Sequence, residues 1–243
     1  MEQLFGTRTS SKQEGEQWMG VSDLMAGLMM VFLFIAISYM RNADLKQEEI
    51  QVKQKDIKAV ATAYQDGQVA IYESLLKEFQ DDLELWDARV DPESLSFEFQ
   101  SPEVLFSTGE LALKARFREI LDDFFPRYLN VLREHRTVIN EVRIEGHTSS
   151  VWNAQTPPDE AYFKNMWLSQ GRTRSVLNYV YANSEIADDR DWVKRYVAAV
   201  GFSSSRPVTW ANGEEDEARS RRVTFRVLTD VDIRMRAIVE KVK

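Results

Sequence analysis

The sequence contains no cysteine and only two histidines, His135 and His147. Disulfide bonds and cysteine-ligated metals are thereby excluded, and a histidine-rich metal site is not expected. The lack of cysteine leaves the compartment open. Basic charge is short as well: 31 Lys+Arg stand against 39 Asp+Glu, a formal net charge of -8. A nonspecific nucleic-acid binder needs a basic face, so no nucleic-acid partner is expected. Enzyme signatures are missing too, with no G-x-S-x-G, no P-loop and no metal-ligand spacing. The carboxylate pairs Asp122-Asp123 and Asp188-Asp189 read as solvated faces, and no enzymatic activity is expected.

What is present is an apolar run confined to one place. Leu24 to Met40 reads LMAGLMMVFLFIAISYM without a charge. A bilayer core takes roughly 20 apolar residues, with about 17 as the lower limit, and the run reaches that length from Val21. Trp18 and Tyr39 stand at its two ends, where interfacial aromatics are favoured. The segment 18–40 is therefore expected to be a transmembrane helix, with 1–17 as a short cytoplasmic tail. A cleaved signal peptide is the competing reading, because Ala36-Ile37-Ser38 resembles a small-residue cleavage site. Against it, Arg8 and Lys12 in the tail are outnumbered by Glu2, Glu14 and Glu16, and Asp23 falls where a signal peptide would be apolar.

Asp23 stands out because a carboxylate at the edge of a membrane helix is costly unless it reaches water, a partner or an ion. The plainer reading is that it snorkels to the interface or caps the helix N-terminus. Beyond the run, residues 41–89 are polar and charged, with one glycine and no proline. Ile50, Ile57, Tyr64 and Ile71 recur every seven residues, and Leu75, Leu76 and Phe79 extend the stripe. This predicts a helical linker, either a weak parallel coiled coil or, over 72–86, a helix packed on its own domain.

From residue 90 the pattern changes to that of a folded α/β domain. Leu95, Phe97 and Phe99 alternate and predict a strand. Residues 109–134 predict a helix that Pro126 should kink or divide. Strands are expected at 138–145, 196–200 and 222–227, and a helix at 160–183. Strands alternating with helices imply a sheet with helices on one or both faces.

Two sets of residues carry a family resemblance. Trp18, Asp23, Leu24 and Met25, followed by the Met-rich helix, resemble the W-x-x-x-x-D-[LF]-M segment of MotB-like stator subunits. Val104-Leu105-Phe106-x-x-Gly109, Gly146-His147-Thr148, Asn165-x-x-Leu168-Ser169-x-x-Arg172 and Ser220-Arg221-Arg222-Val223 follow in order. They resemble the motifs of the OmpA-like peptidoglycan-binding domain. Arg172 matches the arginine that pairs a stem-peptide carboxylate, which a guanidinium does through two parallel hydrogen bonds. Asn165 and Leu168 match residues lining the same groove, and Thr148 matches a strand-end threonine. One departure matters: the family usually has aspartate after G-x-T, where it grips the amine of diaminopimelate, and here that position is Ser149. Either the insertion Val151–Tyr162, with Asp159 and Glu160, supplies a carboxylate, or wall binding is weaker.

The resemblance implies a peptidoglycan-anchored inner-membrane motor subunit in which Asp23 passes the driving ion, H+ or Na+, with no other cofactor. It implies a self-dimer of this chain enclosed by five copies of a polytopic MotA-like partner. The short tail, the compact linker, the G-H-T-S-S stretch with its insertion and the A-x-S-R-R-V ending are closest to the ZorB subunits of Zorya anti-phage systems, whose partner is ZorA. A flagellar MotB-type stator subunit and a plain structural anchor remain the alternatives. The motif set places the C-terminal domain in the periplasm. The positive-inside count of Arg41, Lys46, Lys53, Lys55 and Lys58 points the other way, but long domains translocate against that bias.

Overall fold

The computed structural model describes residues 10–100 and 102–229, without the side chains of residues 10–20 and a few others, Tyr64 among them. The start of the expected tail, the side chain of Trp18 and the end of the C-terminal domain from residue 230 therefore lie outside the described residues. The chain divides into two compact units, Met1–Ala59 and Val60–Lys243.

The first unit consists, among the described residues, of helix α1, Ser10–Phe79, whose end belongs to the second unit. Within it Val21–Lys55 is long and apolar enough to cross a membrane, and among the described residues none of its apolar window is buried. Leu24, Met29 and Phe34 are each more than two-thirds exposed (74%, 72% and 78%). Side chains so apolar and so uncovered need lipid or partner helices around them. Asp23 lies well inside α1, whose first turn holds no acidic residue. Its carboxylate therefore does not cap the helix N-terminus, and that reading of the sequence is set aside.

The end of α1 belongs to the core of the second unit. Ile71, Leu75 and Phe79 follow one another at four-residue spacing on one helix face and are fully buried. Ile50 and Ile57, from the same seven-residue series, are exposed. The domain core thus begins well before residue 90 and takes in Trp86 as well. Heptad and surface-helix patterns share the i, i+4, i+7 spacing, so the sequence could not separate them. Ile71→Val is expected to lower the unfolding free energy of the second unit by about 1 kcal/mol, whereas Ile57→Val should change it by less than about 0.5 kcal/mol. Urea titration of the detergent-solubilised chain measures both, and equal effects would show that Ile71 is not a core residue.

After α1 come β1, Ala88–Asp91, and β2, Ser96–Phe99, joined in an antiparallel hairpin. The Asp91 carboxylate closes it, accepting from the backbone N–H groups of Ser94 at 2.8 Å and Glu93 at 3.1 Å. Then follow α2 (Pro102–Leu105), α3 (Ala115–Glu134), β3 (Ile139–His147), α4 (Pro158–Ala182) and a 3-10 turn at Ser184–Asp189. The chain continues through α5 (Arg190–Tyr196), β4 (Val197–Ser203), α6 (Glu217–Ser220) and β5 (Arg222–Thr229). The sheet order is β1-β2-β5-β3-β4, antiparallel except for the parallel pair β3 and β4, which α4 and α5 connect. This is the mixed α/β sheet that the alternation of strands and helices implied.

Cross-strand register sets Phe97, Phe225 and Ile144 in one row across β2, β5 and β3. Phe124 of α3 packs over that row, with ring centroids 4.6 Å from Phe97, 5.0 Å from Phe225 and 5.2 Å from both Phe99 and Phe79. Val176 and Val180 of α4 join the same core. α3 runs through Pro126 undivided. A mid-helix proline costs about 3 kcal/mol, but Phe124 and Phe125 before it and Tyr128 and Leu129 after it are all buried, and that packing outweighs the cost. α3 starts at Ala115 instead of residue 109, because Gly109 turns the chain with φ 73° and Phe106 pairs with Leu113 in a short bridge.

A cavity built around Arg172

The end of α4 nearest its N-terminus lies close against the carboxyl ends of β3 and β4, and this approach builds the site. Pro158 opens α4 and Asp159 and Glu160 occupy its first turn, where proline and negative charge are both favoured. The backbone N–H of Ser203 on β4 donates to the Ser169 hydroxyl of α4 at 3.1 Å, and the Ser203 hydroxyl donates to the Tyr162 carbonyl at 2.7 Å. Gly201 makes the approach possible, because a Cβ there would stand 2.4 Å from the Gln170 backbone nitrogen. The Thr148 N–H donates to the Ser203 carbonyl at 2.9 Å, which fixes the residues just past β3.

Between these elements lies a cavity of about 450 Å³. Its walls include all of the wall-binding residues expected from the sequence: Thr148, Asn165, Leu168 and Arg172. Asn165 is buried and donates from its amide to the Ser149 carbonyl at 3.1 Å. Thr148 is 5% exposed, and its hydroxyl has no hydrogen-bond partner among the described residues. A buried polar group left unpaired costs about 1–3 kcal/mol, so this hydroxyl is one that a ligand can satisfy. Asp23 belongs to the first unit and is not among the lining residues.

Arg172 dominates the electrostatics. Its guanidinium lies 4.7 Å from the centroid of the Phe106 ring. Nε donates to the Glu110 carbonyl at 3.0 Å and Nη2 to the Ser107 carbonyl at 3.1 Å. The positive φ of Gly109 shapes the loop that offers both carbonyls. Burial lowers the Arg172 pKa to about 10, and among the described residues no carboxylate forms an ion pair with it. At neutral pH the group is therefore a charged, partly desolvated cation without a carboxylate. Such a group is poised to take one as a ligand.

The structure also assigns neighbours that the motifs left without a role. Phe106 and Arg221 fell inside quoted motifs, while Trp152 and Glu217 did not. Glu217 is the only carboxylate among the described lining residues. The acidic run Glu214-Glu215-Asp216-Glu217 just ahead of Ser220-Arg221-Arg222-Val223 was the available signal. Of the insertion after β3, Val151 and Trp152 reach the cavity. Asp159 and Glu160 do not line it, and Glu160 pairs instead with Lys164 at 2.7 Å.

The fold and this cavity define an OmpA-type α/β domain carried behind a long apolar helix, and the OmpA family matches residues 105–221. The Zorya protein ZorB of Escherichia coli strain Crooks is 50% identical over 242 residues, covering 99% of this chain and 100% of that protein. The chain belongs to the ZorB family. Solved structures with similarity include a MotB-like protein from Desulfovibrio vulgaris, at 23% identity and a TM-score of 0.46, covering 67% of this chain and 91% of that one. Another is the cell wall anchor of the T6SS from Pseudomonas aeruginosa, at 22% identity and a TM-score of 0.43, covering 64% and 97%.

Proposed function

We propose that this chain is the peptidoglycan-anchored subunit of an ion-driven motor of the inner membrane, acting in Zorya anti-phage defence. The observation that carries the reading is the pairing, on one chain, of an uncompensated guanidinium in a cavity with an uncovered apolar helix bearing an internal carboxylate. The Arg172 cavity takes a stem-peptide carboxylate and holds the domain to the wall. Thr148, Asn165 and Leu168 form the rest of that site. Asp23 passes the driving ion, H+ or Na+. The exposed apolar face of α1 packs against a ZorA-like polytopic partner, five copies of which surround a dimer of this chain. Ion passage turns the partner around the anchored dimer.

This arrangement requires a fixed topology. The N-terminus is cytoplasmic and the domain periplasmic, because peptidoglycan lies outside the inner membrane. Alkaline phosphatase fused after Lys243 should be active, and the mature protein should keep its N-terminal helix. An inactive fusion, or a mature N-terminus near Tyr39, would overturn the reading.

A further inference from the structure

Besides Arg172 the cavity is lined by two further ionisable groups, Glu217 and Arg221, and the backbone that carries Glu217 is held in place. Glu217 begins α6, and the segment around it is fixed twice. Asp216 caps α6 by accepting from the Arg219 N–H at 3.1 Å. The Glu215 carboxylate accepts from the Ser150 N–H at 3.1 Å and also binds the Ser150 hydroxyl. That clasp holds residues 215–217 against the chain leaving β3, which carries Thr148 and Ser149 into the cavity wall. The Glu217 side chain itself is 52% exposed and makes a long 3.7 Å pair with Arg221.

The cavity therefore offers three things to one ligand: the Arg172 guanidinium, the buried and unpartnered Thr148 hydroxyl, and the Glu217 carboxylate. A ligand bearing only a carboxylate would satisfy the first two and bring its charge near a third group of the same sign. A ligand with a carboxylate and an ammonium on one carbon satisfies all three. Ser149 offers no charge for this purpose, and its hydroxyl donates to the Val151 carbonyl at 3.4 Å. We propose that Glu217 is the ammonium-recognising residue of this cavity, which makes the site selective for a zwitterionic amino-acid centre such as the free end of a diaminopimelate residue. The proposal rests on the reading of the cavity as a wall-peptide site. It assigns to α6 the carboxylate that the position of Ser149 lacks.

The test uses two synthetic peptides and the full chain purified in detergent. One is the tripeptide L-Ala-γ-D-Glu-meso-diaminopimelate. The other carries 2-aminopimelate in place of diaminopimelate, which keeps the distal carboxylate and removes only its amine. Calorimetric titration should show the wild-type chain favouring the first peptide by about tenfold, the scale of one charge-assisted hydrogen bond. Glu217→Gln should bind both peptides equally, while Arg172→Ala loses both. A preference retained by Glu217→Gln, or no preference in the wild type, would overturn the assignment of Glu217 and leave the wall-peptide reading standing. Failure of the wild type to bind either peptide, or binding indifferent to Arg172→Ala, would overturn the wall-peptide reading and this assignment with it.

Discussion

Asp23→Asn is expected to abolish phage protection while leaving assembly and wall binding intact. Asparagine keeps the shape and hydrogen-bonding capacity of aspartate but cannot ionise. It can neither take up and release a proton nor neutralise a passing sodium ion. The energy at stake is about 2.3 kcal/mol per charge for each 100 mV across the membrane, and a group that cannot change its charge state couples to none of it. A structural anchor would behave oppositely, because an asparagine at this place in α1 preserves helix and contacts alike. The position inside α1 removes the capping explanation that would otherwise account for an aspartate here. The measurement is plaque formation in cells expressing the variant with its genomic partner, after co-purification and retention on sacculi have confirmed assembly. Full protection by Asp23→Asn would make the chain an anchor and not a motor subunit.

Arg172→Ala is expected to weaken retention on purified sacculi by about 2 kcal/mol or more, roughly thirtyfold. The guanidinium spends two donors on the Ser107 and Glu110 carbonyls and rests against the Phe106 ring, an arrangement that fixes its direction. Without it a stem-peptide carboxylate would enter a partly desolvated cavity unpaired. Arg172→Lys should recover little, because an ammonium cannot supply the same planar fork to two carbonyls and a carboxylate at once. Leu168→Ala and Asn165→Ala should weaken retention as well. Asn165→Ala also leaves the Ser149 carbonyl without its 3.1 Å partner. Since Arg172 also ties down the 107–110 loop, circular dichroism and a thermal melt accompany the binding assay. Equal retention of wild type and Arg172→Ala on sacculi would remove the site from this cavity.

Much of the architecture could be read from local patterns. Phe97 and Phe99 marked β2, and Val142 and Ile144 marked β3, because alternation places every second side chain on one face. Other features followed different rules. Leu95 was grouped with Phe97 and Phe99, yet it precedes β2 in a turn with φ 51° and is buried there. β2 is buried on both faces, and Glu98 is covered on the polar side while accepting from Arg89 at 2.7 Å. β1 escaped the sequence because Ala88–Asp91 is only four residues long, so the alternation of Ala88 and Val90 with Arg89 and Asp91 is too short to mark a strand, and its pairing with β2 defines it instead. Pro126 does not divide α3, because helix propensity weighs less than the four buried side chains around it.

The sequence by itself determined the parts whose physics is local. Seventeen uncharged residues from Leu24 to Met40 specify a membrane-length helix whatever surrounds them, and Asp23 beside them is legible as a costly exception. The residues at 148, 165, 168 and 172 were picked out by their resemblance to the motifs of the OmpA-like domain. Tertiary structure decided what those residues face. The Arg172 guanidinium is oriented by carbonyls some sixty positions earlier in the chain, as the 62- and 65-residue separations to Glu110 and Ser107 show. Glu217 reaches the same cavity because Glu215 clasps Ser150, a contact spanning 65 residues. Periodicity reports which face of an element is apolar, but only closure of the sheet and the seating of α4 against Gly201 bring distant charges into one cavity.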